Sequence, residues 1–517
     1  MAFATPVGPG RRWGSFAALG LAWTGLAIAI LAAGIRPPDD MYITFRYAWN
    51  LAHGNGFVFN PGEHVFGLTN PGLGLTLALL QLVTRVPVHE LGRVLFGAGL
   101  VTLTLLLWWD AADRAARLEA AVAGTLVIGC SAIWISVGSA SAVVLALLAG
   151  SALLVHRRPG TAGVLAGLAV WFRPDAALGA TALGVLAWLE RRRAPWRWGL
   201  VTGGVILLGV VAAWLYFGSP LPNTLVAKRI VGELNFVRDT GPVLFWARAT
   251  LLFERHMGRL WLFLVALGVG GQWPLFVRGG RATRTVVLYA AGVAVAYPLM
   301  GVPFYHWYVV PTLVTLLYGM VALAAGIGRG LGAAVREAWP DRGVRLEPIL
   351  AAVLAVAILF APARSELVTG SRLLKSPPVG GRFDTYRRAG LWIRAHSQPG
   401  DRIAYGEIGN LAYWSRRPVD DLMGLVTPRS LPYLAAHDAA GAFLADPPEL
   451  FVRHPQGPQR GLVNRPWFQA AYELVASIPD SQGEMAVTIY RRRLGVALPP
   501  PRPPIEHKAE PPRAGNR

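Results

Sequence analysis

The sequence predicts a polytopic α-helical membrane protein of about eleven spans, followed by a soluble α/β domain. Composition carries the first part of that expectation. The 517 residues are 54% hydrophobic and 15% charged, with a mean hydropathy of +0.42; a soluble chain of this length carries more charge. The second observation is a series of apolar runs divided by short arginine clusters. The third is a change of texture after Pro362, where the apolar runs stop and charge, Pro and Gly rise.

Gly14–Ile35 is long enough to cross a bilayer and longer than a signal-peptide core, so it reads as an uncleaved first helix. Further apolar runs lie at Val94–Trp109, Ala120–Val137, Ala140–Val155, Thr161–Phe172, Ala176–Leu189 and Trp198–Phe217. The series continues at Gly258–Val277, Thr285–Val302, Trp307–Ile327 and Pro348–Pro362. A shorter run, Gly72–Val83, decides the parity of everything after it. If it only dips into the outer leaflet, one face receives Arg114, Arg117, Arg157, Arg158, Arg191 to Arg193, Arg197, Arg278, Arg281, Arg284, Arg329, Arg336, Arg342 and Arg345. The positive-inside rule makes that face cytoplasmic. The N-terminus is then inside, and the segment after Pro362 is outside.

The net charge of +20 fits this loop distribution and contact with anionic lipid. Nucleic acid is not an expected partner, because no basic-aromatic module is visible. The single cysteine, Cys130, lies in an apolar run and can form no intrachain disulfide. Ala, Gly, Arg and Pro usage is that of a GC-rich bacterium, so the expected location is the bacterial cytoplasmic membrane.

Beyond Pro362, residues 363–496 read as the soluble domain. A helix is expected over Tyr386–His396 and strands over Arg402–Tyr405, Val419–Leu422, Tyr472–Ile478 and Met485–Arg491. Residues 497–517, rich in proline and charge, are expected to be disordered.

Residues 37–71 form the loop on which the chemistry rests. Two adjacent carboxylates, Asp39 and Asp40, precede an aromatic helical pattern of Tyr42, Phe45, Arg46 and Trp49, and a turn-rich tail follows. Acidic groups at a membrane surface need solvent or a positive partner, which makes the pair a candidate site. The plainer reading has Asp39 or Asp40 capping a short helix that starts near Met41.

The loop resembles the first extracytoplasmic loop of the C-type-fold (GT-C) glycosyltransferases that use polyprenyl-phosphate sugars. It is most similar to that of the actinobacterial terminal arabinofuranosyltransferase family. The likeness lies in Asp39-Asp40, Tyr42-Ile43-Thr44, Arg46-Tyr47-Ala48, Asn50-Leu51, Gly54-Asn55-Gly56, Asn60-Pro61-Gly62-Glu63 and Thr69-Asn70-Pro71. The C-terminal region resembles the same family at Gly406-Glu407-Ile408-Gly409, Tyr413, Asp420-Asp421-Leu422 and Gly424-Leu425. The resemblance implies a transmembrane catalytic domain over residues 1–362. It also implies transfer of a monosaccharide from a polyprenyl-phosphate donor to a glycan or lipid acceptor outside the membrane, with inversion.

Such chemistry needs a base for the acceptor hydroxyl and cations for the phosphate leaving group. The resemblance gives Asp39 the role of base. Asp40 tunes Asp39, binds an acceptor hydroxyl or joins it in holding a divalent cation; the sequence leaves these open. Phosphate and sugar candidates are Arg46, Arg93, Arg173, Lys228, His306, Asn223 and Tyr305. Pro222-Asn223-Thr224 with Lys228 resembles a family signature, as do Arg173-Pro174-Asp175 and Phe304-Tyr305-His306-Trp307-Tyr308. Plainer readings stand beside each: a helix cap at Asn223, a solvated span end at Arg173, an aromatic-belt anchor at His306 and snorkelling by Arg93. Many relatives carry Gly-x-Glu where this chain reads Val137-Gly138-Ser139-Ala140-Ser141, so the substrate or the activity differs there. A lipid-linked sugar transporter would need paired, symmetric halves, and none is visible. A non-catalytic glycan binder is the remaining alternative.

Overall fold

The computed structural model describes residues 9–233, 241–258, 261–338, 382–453, 461–480 and 486–501. Its first part is a helical bundle. Among the described residues six helices are long and apolar enough to cross a membrane: Arg12–Ala32, Val88–Asp110, Trp196–Phe217, Trp261–Arg278, Arg281–Leu299 and Val310–Ala334. Three more, Pro71–Thr84, Ser141–Leu154 and Pro159–Phe172, are apolar but shorter. The expected run Pro348–Pro362, the boundary at residue 362 and the tail from residue 502 lie outside the described residues.

Contacts at the helix ends sort the bundle into two poles. At one, Arg12 donates to the Trp109 carbonyl at 2.6 Å, and the Asp110 carboxylate accepts from the Thr283 amide at 2.9 Å. Glu190 there joins Arg281 at 2.6 Å and His156 at 3.0 Å, while Arg329 pairs with Glu119. At the other pole, Arg93 donates to the Leu31 carbonyl, Ser141 to the Trp307 carbonyl at 3.1 Å, and Arg173 to Tyr297 Oη at 2.8 Å. Arg12, Arg281 and Arg329 thus share one pole, and Arg93, Arg173 and Ser141 gather toward the other.

The helix Pro71–Thr84 has 14 residues, about 21 Å at 1.5 Å per residue, against a hydrocarbon core of about 30 Å. Both its ends return to the same neighbour, the helix Asp39–Ala52. Thr44 donates to Asn70 at 2.7 Å just before the short helix. Just after it, the His89 ring stacks 6.5 Å from Tyr42. Both flanks of the short run thus contact one helix, and Leu79, Leu82 and Val83 stay exposed on it.

The C-terminal part is a five-stranded mixed sheet. Its strands are β1 (Ile403–Tyr405), β2 (Val419–Asp421), β3 (Leu450–Arg453), β4 (Tyr472–Pro479) and β5 (Ala486–Arg492), in the order β2-β1-β3-β5-β4. β1 runs parallel to β2 and β3, and β5 is antiparallel to β3 and β4. The helix Arg382–His396 lays Tyr386, Ala389 and Ile393 on the sheet, all 0% exposed. Sequence reading missed β3, a four-residue strand between Pro447-Pro448 and His454-Pro455. Proline dipeptides mark turns, yet here they bracket the middle strand.

One cluster of this part is its own, built from Ala404, Leu422, Phe443, Phe451, Phe468 and Tyr472, while a second is shared with the loop. Ile43, Tyr47, Phe57, Phe59, Phe66 and Leu68 from the loop pack in one cluster with Tyr386, Ile393, Ile403, Leu411 and Ile489. Asn60 closes the β2 edge, donating to the Val419 carbonyl at 2.9 Å and accepting the Val419 amide at 3.0 Å. A side-chain amide offers one donor and one acceptor in a fixed plane, so it substitutes for a neighbouring strand.

Asp421 organises the turn after β2. Its carboxylate accepts the amides of Met423 at 2.8 Å and Val426 at 3.1 Å. Burial pushes its pKa up from 3.8 to about 7 against the pull of those amides. A carboxyl raised in the folded state binds its proton more tightly there than in the unfolded chain. Its contribution is therefore full below pH 4 and lost as the pH rises through about 7, in total about 4 kcal/mol. Asp421→Asn is expected to flatten the fall in thermal midpoint between those pH values; an unchanged slope would assign the titration elsewhere.

Candidate functional site

Five segments meet at the second pole: the start of the helix Asp39–Ala52, the turn before Ser141, the turn at Arg173–Asp175, the helix Asn223–Glu233 and the loop before Val310. Gly138 has φ +85, and a Cβ there would meet Phe45 at 3.0 Å and Pro37 at 3.3 Å. That glycine lets the serine-rich turn press against the start of the aspartate helix. Ser141 Oγ accepts from Arg173 at 3.2 Å, and Ser136 Oγ lies 2.9 Å from His306 Nδ1.

Lys228 occupies the middle of this convergence. Its Nζ sits 4.7 Å from the centre of the Tyr305 ring, and Tyr308 hydrogen-bonds it. Burial alone would lower the ammonium pKa; the oxygens of Tyr308 and Tyr305 and the Asp40 carboxylate outweigh it and hold the pKa above its usual value. The same carboxylate and burial raise the Tyr305 phenol. Asp40, Lys228 and Tyr305 therefore form one electrostatic unit. It continues through Tyr308, whose ring stacks 3.8 Å from Tyr297 and lies 5.7 Å from the Arg173 guanidinium carbon. Arg173 is bound by Asp175 at 2.6 Å and 3.0 Å, and Tyr297 donates to the same carboxylate at 2.6 Å.

The two aspartates part company. Asp39 faces the C-terminal domain, its oxygens accepting the amides of Gly409 at 3.0 Å and Asn410 at 2.8 Å. These amides open the helix Ile408–Ser415, so Asp39 supplies from a distant segment the acceptor that an N-terminal turn lacks. It does not cap its own helix, whose N-cap residue is Pro38. Asp39→Ala is expected to lower the unfolding free energy by about 1 kcal/mol, the usual worth of such a cap. Thermal unfolding measures it, and an unchanged midpoint would show the bonds to carry no weight.

The other predicted residues divide in the same way. Arg46 is 3% exposed and donates to the carbonyls of Phe59 at 2.7 Å, Arg417 at 2.7 Å and Ala412. Burial and the neighbouring Arg416 push its pKa down to about 9. Its fork is spent on fastening the loop to the C-terminal domain, which removes it from the phosphate candidates. Arg93 pairs with Glu90 at 2.5 Å on the first turns of its helix. Asn223 donates to the carbonyls of Gly424 at 2.6 Å and Leu425 at 3.0 Å. Thr224 beside it donates to the Gly67 carbonyl at 2.6 Å. The first turn of the Lys228 helix is thus held by the loop on one side and the Asp421 turn on the other. Burial and His256 push His306 down to about 4, leaving a neutral imidazole at pH 7.

Sequence reading missed Tyr297, and it named Tyr308 only within the Phe304–Tyr308 element without a role; a phenol at a span end gives no periodic signal. A divalent cation fits the aspartate pair poorly. Such an ion takes about six oxygen ligands, both Asp39 oxygens already accept amides, and no group of three His, Cys, Asp or Glu suited to a metal occurs among the described residues.

The fold has known counterparts. ArnT from Cupriavidus metallidurans bound to undecaprenyl phosphate superposes with a TM-score of 0.55 at 12% identity, over 95% of this chain and 100% of its own. Its apo state gives 0.51 at 12%, over 93% and 98%. Arabinofuranosyltransferase AftD from Mycobacteria gives 0.50 at 16% identity, over 94% of this chain and 40% of its own length. The likeness is one of fold, and it is the C-type glycosyltransferase fold that the loop motifs lead one to expect. Residues 381–490 match a family model described as a domain of unknown function, DUF8728. No curated protein matches the chain by sequence.

Proposed function

We propose that the protein is an inverting membrane glycosyltransferase. It moves a monosaccharide from a polyprenyl-phosphate donor to a glycan or lipid acceptor at the outer face of a bacterial cytoplasmic membrane. The observation that carries this reading is the convergence of Asp40, Lys228, Tyr305 and Arg173 at one pole of a bundle with the fold of ArnT. The opposite pole bears the arginine clusters, which supports a cytoplasmic assignment for it and eleven crossings in all.

In this reading Asp40 is the general base. Asp39, the expected base, is committed to the amides of Gly409 and Asn410 and positions the C-terminal domain. Asp40 takes the proton of the acceptor hydroxyl as its oxygen attacks the anomeric carbon. The bond from that carbon to the phosphate oxygen breaks, and the electron pair leaves with the lipid phosphate. Lys228 neutralises the charge that builds there. Arg173, already matched by Asp175, fixes Tyr297 and through it the Tyr308 ring against Lys228.

Purified protein given a labelled polyprenyl-phosphate sugar and mixed cell-envelope acceptors tests the reading. A new glycosidic bond that depends on Asp40 supports it. Movement of the lipid across a vesicle without a new bond would assign a transporter instead.

A further inference from the structure

The sheet has a second end, away from the loops that meet Asp39 and Asn223. There β1 and β3 begin, β5 finishes and the helix Arg382–His396 stops. A cleft of about 560 Å³ opens between them, lined by His396, Ser397, Gln398, Asp401, Glu449 and the run Arg491-Arg492-Arg493. Its volume lies within the range of small-molecule sites, roughly 300–1,000 Å³.

The charges in the cleft are unevenly matched. Both carboxylates are tied to the backbone: Asp401 accepts the Gln398 amide at 2.9 Å and Glu449 the Arg402 amide at 2.8 Å. Each arginine donates to a carbonyl: Arg491 to His396, Arg492 to Pro447 at 3.4 Å and Arg493 to Ala470 at 3.1 Å. Among the described residues no ion pair joins Arg491 or Arg492 to a carboxylate, and Arg493 reaches only Glu473, at 3.5 Å. Arg491 and Arg492 thus line the cleft as guanidiniums bonded only to carbonyls. The His396 ring lies face to face with Trp392 at 4.3 Å and gives the rim a flat, partly apolar wall.

We propose that this cleft binds an anionic saccharide, a sugar bearing a carboxylate or a phosphate. The guanidiniums take the oxyanion, since planar forks match it in a bidentate way. Asp401, Glu449, Gln398 and Ser397 offer the mixture of acceptors and donors that ring hydroxyls need. Its place at the far end of the sheet suits a distal part of an acceptor polymer rather than a lipid headgroup. The identity of that polymer rests on the transferase reading; the binding of a charged sugar does not.

Isothermal titration of the full-length protein in detergent with glucuronate, glucose 6-phosphate, glucose and inorganic phosphate tests this. The charged sugars are expected to bind at least about tenfold more tightly than glucose, the scale of one charge-assisted bond. Glucose 6-phosphate should also exceed inorganic phosphate. The double variant Arg492→Gln/Arg493→Gln should lose about tenfold for both charged sugars, keep its thermal midpoint and keep turnover on a small neutral acceptor. Equal binding of glucose and glucuronate, equal binding of phosphate and its sugar ester, or affinity unchanged in the double variant would each overturn the proposal. So would competition by anionic lipid vesicles, which would assign the cleft to a headgroup. Should charged sugars bind while no acceptor is ever glycosylated, the transferase reading fails and the cleft stands.

Discussion

Asp40→Asn is expected to cut sugar transfer by about 10²–10⁴-fold in kcat, the usual contribution of a placed base, with little change in KM for the donor. The amide has nearly the shape of the carboxylate, so the fold should be unaffected. The informative partner is Asp39→Asn. If Asp39 only fastens the helix Ile408–Ser415, its variant should lose stability while keeping most of its kcat. If the two variants exchange these behaviours, Asp39 is the base and the assignment drawn from its bonds to Gly409 and Asn410 is overturned. The pH–rate profile adds a readout that fastening does not move, because only loss of the base removes the acidic limb.

Lys228→Met should have the second-largest effect, a loss of about 10²–10³-fold in kcat, the scale seen when one group that stabilises developing negative charge is removed. Methionine preserves length and apolar contact with the Tyr305 ring, so the packing of the helix Asn223–Glu233 should survive. Lys228→Arg should restore part of the rate by restoring charge, although a guanidinium is broader and flatter than an ammonium. Rescue that fails completely while the fold persists would indicate that the ammonium's small size matters more than its charge. Equal activity of all three proteins would exclude Lys228 from the phosphate step.

Much of the architecture could be read before any coordinate. Hydropathy was enough to mark the long apolar helices, because lipid exposure acts on composition alone. The length of the helix Pro71–Thr84 leaves its course open, and nothing in the sequence signals that its flanks contact Tyr42 and Thr44. The site was legible as a set of residue types and not as a set of roles. Asp39 and Asp40 are adjacent in sequence, yet a helix turns successive residues by 100°, which sends one to the C-terminal domain and the other to Lys228. Arg46 had the same ambiguity. A cation next to acids reads as a ligand for phosphate, and only the carbonyls of Phe59, Ala412 and Arg417 reveal it as a fastener.

The shared packing of residues from Ile43–Leu68 with the β-sheet has an evolutionary and practical corollary. A protein whose C-terminal globule were a detachable accessory could exchange it, shorten it or be expressed without it. Here the aromatic face that would be bared includes Tyr47, Phe57 and Phe59, and the lysine's helix would lose one of its two moorings. Swapping the globule for that of a cousin would therefore demand a matched swap of the first loop, so the two pieces should be inherited as a pair.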